Sequence, residues 1–394
     1  MSDIRVLAIT PHLTPYRVAL FNRISNTGRC DLNVLSLTDK EPNRSWQLEA
    51  SSVRFSHAVA RGIHLHMHRK EVFVHVNTGV SRLADKLRPH VVVVSGYDQP
   101  AYWNALFRFQ RYGCKRLLWS GTTETSARSS TGIRRLLKAQ IVRQADGFIA
   151  YGTLAKEYLV RLGAHPDRVT ISTNTVDMDY FRTSSNSYRE RSDFWAQRSR
   201  FPRFLLLFVG QLIRRKGIAN LLKALRELDD PDVGLILVGN GPLEAQLKRM
   251  CNDLLGKQIF FEGHHQLDTL PQFYALADAL VLPSLTELWG LVLNEALAAG
   301  LYSLTSERAG AAHDLIRKGW NGDVFDPTDT RRLCLSIRAA KDRLEELRCN
   351  RERISLDACD SFSLRHSAAS FVDAIEREAR SADSRRANGL PCDD

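Results

Sequence analysis

The chain has 394 residues, 44% of them hydrophobic and 25% charged, so it exceeds what one core normally supports and carries an ordinary soluble composition divisible into two domains. Seven cysteines (Cys30, Cys114, Cys251, Cys334, Cys349, Cys359, Cys392) are scattered, odd in number and without a C-x-x-C, which speaks against a disulfide framework and for reduced thiols in the cytoplasm. No apolar run approaches the roughly 18 residues of a membrane span, and the formal charge of +11 makes a polyanionic partner a question to answer.

Met1-Ser2-Asp3-Ile4-Arg5 runs into the first strand with no basic-then-apolar leader, so a soluble or peripheral protein is expected. Strands are predicted at Ile4–Ile9, Leu32–Leu37, Val91–Ser95, Arg116–Ser120, Gly147–Tyr151 and Val169–Ser172, with helices between them. This alternation predicts an α/β, doubly wound sheet, whose ligands are carried by loops at the carboxyl ends of the strands. Three such loops are Pro11-His12-Leu13-Thr14-Pro15-Tyr16-Arg17, Gly96-Tyr97-Asp98-Gln99-Pro100 and Trp119-Ser120-Gly121-Thr122-Thr123-Glu124. His64, His66 and His68 alternate and would share one face of a strand, where they could bind a metal. His75 lies seven positions on, but no carboxylate or cysteine is placed to complete a site, and a solvated sheet face is the preferred reading.

Much of the positive charge lies in Arg108, Arg111, Lys115, Arg116, Arg134, Arg135, Lys138 and Arg143, with Leu136, Leu137, Ile141 and Val142 interleaved. A basic amphipathic helix of this type suits an anionic membrane face, and a solvated basic surface is the alternative. Nucleic acid is the other polyanion, but no reading motif is present, so no nucleic-acid partner is expected.

Polar residues 183–203 break the alternation and read as an interdomain connection. Beyond it, Phe204 to Val209 is strand-like, Gly210 ends it, and Gln211-Leu212-Ile213-Arg214-Arg215-Lys216-Gly217 leads into a helix carrying Leu221, Leu222, Leu225 and Leu228. Strand, glycine turn, cations and helix form a pattern suited to phosphate, and Lys216 with one arginine could neutralise a departing diphosphate. Leu235-Ile236-Leu237-Val238-Gly239-Asn240-Gly241-Pro242-Leu243 is a further strand ending in glycines. It lacks the last glycine of G-x-G-x-x-G, which weighs against a nicotinamide cofactor.

Ala279-Leu280-Val281-Leu282-Pro283 reads as a buried strand, and Ser284-Leu285-Thr286 as the cap of a helix running to Gly300. Within it, E-L-W-G-L-V-L-N-E sets Glu287 and Glu295 eight positions apart, and a rise of about 1.5 Å per helical residue would separate them by on the order of 10 Å. That spans a sugar, a diphosphate and a ribose. The expected cradle places Glu287 on sugar hydroxyls, Glu295 on ribose, and backbone amides beside Gly290 on the diphosphate.

Together, V-G-Q-L-I-R-R-K-G, L-V-G-N-G-P-L, F-F-E-G-H-H with A-D-A-L-V-L-P-S, E-L-W-G-L-V-L-N-E-A-L-A-A-G, and G-A-A-H-D-L-I with W-N-G-D-V-F-D-P cover nearly all of residues 203–330. In order and spacing they resemble the donor-binding half of the retaining GT-B glycosyltransferases of glycosyltransferase family 4. The resemblance implies two Rossmann-like domains facing a cleft, a reaction that keeps the anomeric configuration, and no bound metal or other cofactor. It implies donor binding, from a UDP- or GDP-sugar, by Gly210, Gln211, Arg215, Lys216, Glu287, Leu288, Trp289, Gly290, Leu291, Val292 and Glu295, with Lys216 and Glu287 catalytic. Pro15, Tyr16, Arg17, Asp98 and Glu124 are acceptor-side candidates.

Gln211 stands where the family usually has arginine, and Gly300-Leu301-Tyr302 replaces its glycine-x-proline. No histidine lies at Ser120 to Thr122, so no protein base is assigned. The expected domains are 1–182 with a crossover helix over 363–382, and 204–362, followed by a disordered tail over 383–394. The expected acceptor is a saccharide, lipid-linked or free, in cell-surface polysaccharide synthesis at the cytoplasmic face of a membrane. A sugar-nucleotide epimerase of the same architecture is the alternative.

Overall fold

The computed structural model describes residues 4–39, 50–67, 72–77, 80–109, 113–127 and 132–387. His68 and Arg111, named above, lie outside them, as do residues 388–394. The chain forms two compact units, one of residues 1–174 with 364–394 and one of residues 175–363.

The first unit is built on a seven-stranded parallel sheet. Its strands are β1 (Arg5–Thr10), β2 (Asp31–Ser36), β3 (Ser56–Val59), β6 (Val91–Val94), β7 (Lys115–Ser120), β8 (Gly147–Ala150) and β9 (Val169–Ile171), ordered β3-β2-β1-β6-β7-β8-β9. The reversal at β1 puts the loops after β1 and β6 side by side, the position where doubly wound sheets bind ligands. Strand residues alternate between two cores, as a sheet covered on both faces requires: Leu7 and Ile9 face one, Val6 and Ala8 the other. The helix Leu364–Ala387 supplies Phe371, Val372 and Ile375 to the second of these cores. It extends through positions 383–387, where a disordered tail was expected.

A separate antiparallel ribbon pairs β4 (Gly62–Met67) with β5 (Val72–Asn77). His64 and His66 therefore do lie on one strand. His64 is in register with His75, and their Nδ1 atoms approach to 3.0 Å.

The second unit has a six-stranded parallel sheet of β10 (Phe204–Val209), β11 (Val233–Val238), β12 (Ile259–Gly263), β13 (Ala279–Leu282), β14 (Tyr302–Ser306) and β15 (Gly322–Phe325), ordered β12-β11-β10-β13-β14-β15. Every residue of β10, β11 and β13 is buried, as expected of strands covered on both faces. Here β10 is the point of reversal, so the loops after β10 and β13 are neighbours.

The expected connection over 183–203 is instead part of this unit, in the helices Met178–Arg189 and Phe194–Arg198. Its polar residues bind buried carbonyls and a buried acid. Ser185 donates to Pro271 O at 3.2 Å, Arg189 to Ala299 O at 2.9 Å, and Arg198 to Asp278 Oδ2 at 2.7 Å. Asp278 also accepts from Arg348 and Arg351, both at 2.9 Å, so four charges share one buried cluster. A polar composition here marks satisfied groups, where composition alone suggested a linker.

Candidate active site

The loop after β10 turns at Gly210 and enters a short 3-10 turn, Arg214–Lys216, closed by Gly217 at φ +69°. A Cβ at Gly217 would lie 1.9 Å from Pro283 O, so both its conformation and the approach of the β13 loop require glycine. The two loops are then stitched by backbone, Leu285 N donating to Arg215 O at 2.8 Å. Gly239 and Gly241 have a related packing reason: a Cβ on either would press within 2.0 Å and 2.5 Å of Gly210 O and Leu212 O. Arg214 and Arg215 are exposed, whereas Lys216 turns inward.

Lys216 Nζ forms an ion pair with Glu287 Oε2, and both side chains are only 12% exposed. Ser284 Oγ adds a 3.4 Å hydrogen bond to the same oxygen. Burial pushes the Glu287 carboxyl up, but the attraction and hydrogen bond of Lys216, with help from Arg215 and Ser284, outweigh it and hold the group below the ordinary carboxylate range. A compact ion pair thus sits at the carboxyl end of the central strands of the second sheet.

The expected helix from Ser284 is shorter than predicted. Glu287 lies in the loop, forming an isolated parallel bridge with Ala309, and helix begins at Leu291 after Gly290 at φ +102°. Helical rise therefore does not set the Glu287–Glu295 separation estimated above. The reason is local: Glu287 N donates to Arg308 O at 3.3 Å, while Gly310 N and Ala311 N donate to Glu287 O and Trp289 O at 3.2 Å and 3.1 Å. The segment is extended against residues 308–311 before it can coil. The helix Leu291–Ala298 has no side-chain cap, so its first amides point from a glycine turn beside Glu287. Leu288 is exposed, Leu291 and Val292 are half-buried, and Trp289 is buried with Nε1 donating to Asn294 Oδ1 at 3.0 Å.

Glu295 is 1% exposed and accepts from Tyr274 Oη at 2.5 Å. Tyr274 is the participant that sequence reasoning missed. It stands in an apolar run, and only its phenol, which needs a partner when buried, signals a second role.

In the first unit, Pro15 and Tyr16 open the helix Pro15–Ser25 after the cap Thr14, whose side chain accepts from Arg17 N at 3.2 Å. Asp98 is exposed. Glu124 is engaged in an ion pair with Arg161 at the surface.

Two doubly wound units with reversal points at β1 and β10 are the GT-B type of fold, and solved structures agree. The chain superposes on Anabaena HepE in complex with UDP with a TM-score of 0.71, at 16% identity, over 97% of this chain and 100% of that one. A glycosyltransferase from Rickettsia africae gives 0.73 at 14% identity, over 95% and 99%. The expected α/β fold class is thereby confirmed.

Residues 190–352 match the family of glycosyl transferases group 1, so the second unit carries a domain of that family. Among the relatives, D-inositol 3-phosphate glycosyltransferase of Thermomonospora curvata is 30% identical over 233 residues, 55% of this chain and 54% of that protein. Glycogen synthase of Mycobacterium tuberculosis is 28% identical over 229 residues, 56% and 52%. The chain thus spans about half the length of these relatives.

Proposed function

We propose that the protein transfers a sugar from a nucleotide-diphosphate sugar to a saccharide acceptor with retention of configuration. The observation that carries this reading is the ion pair of Lys216 and Glu287, held between two glycine turns at the strand ends of a glycosyl transferases group 1 domain. The acceptor oxygen bonds to the anomeric carbon as the bond from that carbon to the diphosphate breaks, and the acceptor proton passes to the departing phosphate oxygen. Charge then accumulates on the nucleoside diphosphate, where Lys216, Arg215 and the amides after Gly290 neutralise it without a bound metal. Glu287 holds sugar hydroxyls, and Glu295 the ribose.

The relatives' names point to the nucleotide worth testing first, since HepE has been solved with UDP-glucose. UDP and UDP-glucose should stabilise the folded state by mass action, by about 2.7 kcal/mol at a hundredfold excess over Kd, and so raise the melting temperature. No stabilisation by any uridine or guanosine diphosphate sugar would refute the reading.

The lipid-linked acceptor and the cytoplasmic membrane face belong to the same proposal. On the helix Gly132–Val142, Leu136 and Leu137 are 70% and 59% exposed, flanked by exposed Arg134 and Arg135, a combination suited to an anionic bilayer. Co-sedimentation should be greater with anionic than with neutral vesicles, and equal partition would remove the membrane from the proposal.

A further inference from the structure

Several inward-turned arginines among the described residues meet a carboxylate: Arg116 meets Asp146 at 2.9 Å, and Arg198 meets Asp278 at 2.7 Å, whereas Arg189 is spent on backbone carbonyls such as Ala299 O at 2.9 Å. Arg17 does neither. Its guanidinium carbon lies 3.8 Å from the centre of the Trp119 ring, its Nη1 donates to Ser95 Oγ at 3.3 Å, and its Nη2 donates to Tyr151 Oη at 2.8 Å. All three partners are neutral, and among the described residues no carboxylate pairs with it.

Position sharpens the point. Ser95 follows β6, Trp119 lies in β7, Tyr151 follows β8, and Arg17 itself comes from the start of the helix that follows β1. These four strands are consecutive in the sheet, so one guanidinium bridges the carboxyl ends of β1, β6, β7 and β8. Arg17 also occupies the first turn of the helix Pro15–Ser25, which contains no acidic residue, so the helix dipole repels its charge. Trp119, buried beneath it, has an Nε1 donor with no hydrogen-bond partner. The cluster offers donors and positive potential but no anion. Of the five N–H donors of a guanidinium, two are used, and stacking fixes the plane of the rest, the arrangement that receives an oxyanion through paired bonds.

We propose that Arg17 is the receptor for an oxyanion, phosphate or carboxylate, carried by the sugar acceptor. The proposal rests on the sugar-transfer reading for the molecule that bears the anion. The diphosphate of the donor already has Arg215 and Lys216 in the second unit, which is why the acceptor is assigned. The competing account is a purely structural tie between strand ends.

The test uses the full chain as wild type, Arg17→Gln and Arg17→Lys. Inorganic phosphate is titrated against chloride at constant ionic strength, with melting temperature as the readout, and UDP is titrated in parallel. Wild type should show a saturable rise of about 2–4 °C with phosphate. Arg17→Gln should lose it, and Arg17→Lys should keep a weakened response, because the charge remains without the fork. UDP affinity should be unchanged in both variants, and a wild-type far-UV circular dichroism spectrum and melting profile in chloride alone show that the first unit, which carries Arg17, is folded in each. An equal phosphate response in wild type and Arg17→Gln, or none in wild type, overturns the oxyanion site. A tenfold loss of UDP affinity in Arg17→Gln overturns its assignment to the acceptor. Failure of UDP to stabilise the wild type is a separate result and counts against the sugar-transfer reading alone.

Discussion

Replacing Lys216 with methionine removes the charge while keeping most of the stem, and so isolates what the cation does for Glu287. Both side chains are 12% exposed, so neither is fully hydrated, and the carboxylate stays below its ordinary range chiefly because Lys216, helped by Arg215 and Ser284, offsets its burial. Breaking a buried pair by deleting one partner costs about 3–5 kcal/mol, and here the remaining Ser284 hydrogen bond and nearby Arg215 should reduce that to about 2–3 kcal/mol. The pH dependence follows from the direction of the shift. A depressed carboxyl contributes stability that is present above its unfolded pKa, about 4.3, and lost as pH falls through the lower folded value. In Lys216→Met burial dominates, the carboxyl rises above its ordinary value, and the variant's deficit should shrink on acidification towards that range. The assay is urea unfolding of the full chain at neutral and mildly acidic pH, in a cycle with Glu287→Gln and the double variant. Two units can unfold in separate steps, so the coupling is read from the transition that Glu287→Gln displaces. A coupling of about 2 kcal/mol at neutral pH is expected. A coupling below about 0.5 kcal/mol, the level of a solvent-screened surface pair, or a deficit that is constant with pH, would refute the argument.

The remaining expectations concern single groups. Gly217→Ala should lower stability by about 3 kcal/mol or more and weaken UDP binding, since its Cβ would meet Pro283 O at 1.9 Å with φ at +69°; calorimetry with a UDP titration checks both. Tyr274→Phe keeps the ring beside Phe181 but takes a donor from buried Glu295, which should cost about 1.5–3 kcal/mol in denaturant unfolding and weaken UDP binding. Glu295→Ala should weaken nucleotide affinity with less effect on kcat, whereas Glu287→Ala should lower kcat more than it raises KM; steady-state kinetics with matched wild-type values would contradict both roles.

Much of this was legible in the sequence because the signals are local. Apolar runs such as Phe204–Val209 and Ala279–Leu282 have no alternative to a buried strand, and the glycines that end or follow them mark turns. What could not be read depends on contacts distant in sequence. Residues 183–203 look like a linker until Arg198 finds Asp278, eighty positions away. The helix after β13 looks longer until residues 308–311 claim the backbone of Glu287 and Trp289. The role of Tyr274 depends on one oxygen of Glu295, and nothing in its neighbours announces that bond.

The same distinction bears on how the proposed machinery is held. Lys216 and Glu287 are 71 positions apart, and their charges alone would not fix a geometry, since both side chains are long and rotatable. The backbone places them first. Gly217 admits Pro283 O, Arg215 O accepts from Leu285 N, and Glu287 is pinned on its other side by Arg308 and Gly310. The turn of Arg214–Lys216 and the loop before Gly290 therefore form one rigid junction on the ends of β10 and β13, with the ion pair laid across it. On this account the loss of charge in Lys216→Met leaves the junction in place, whereas Gly217→Ala disrupts the junction and the pair together. The ordering follows from the structure: nucleotide binding should survive the first change in greater measure than the second, although the second alters no charged atom.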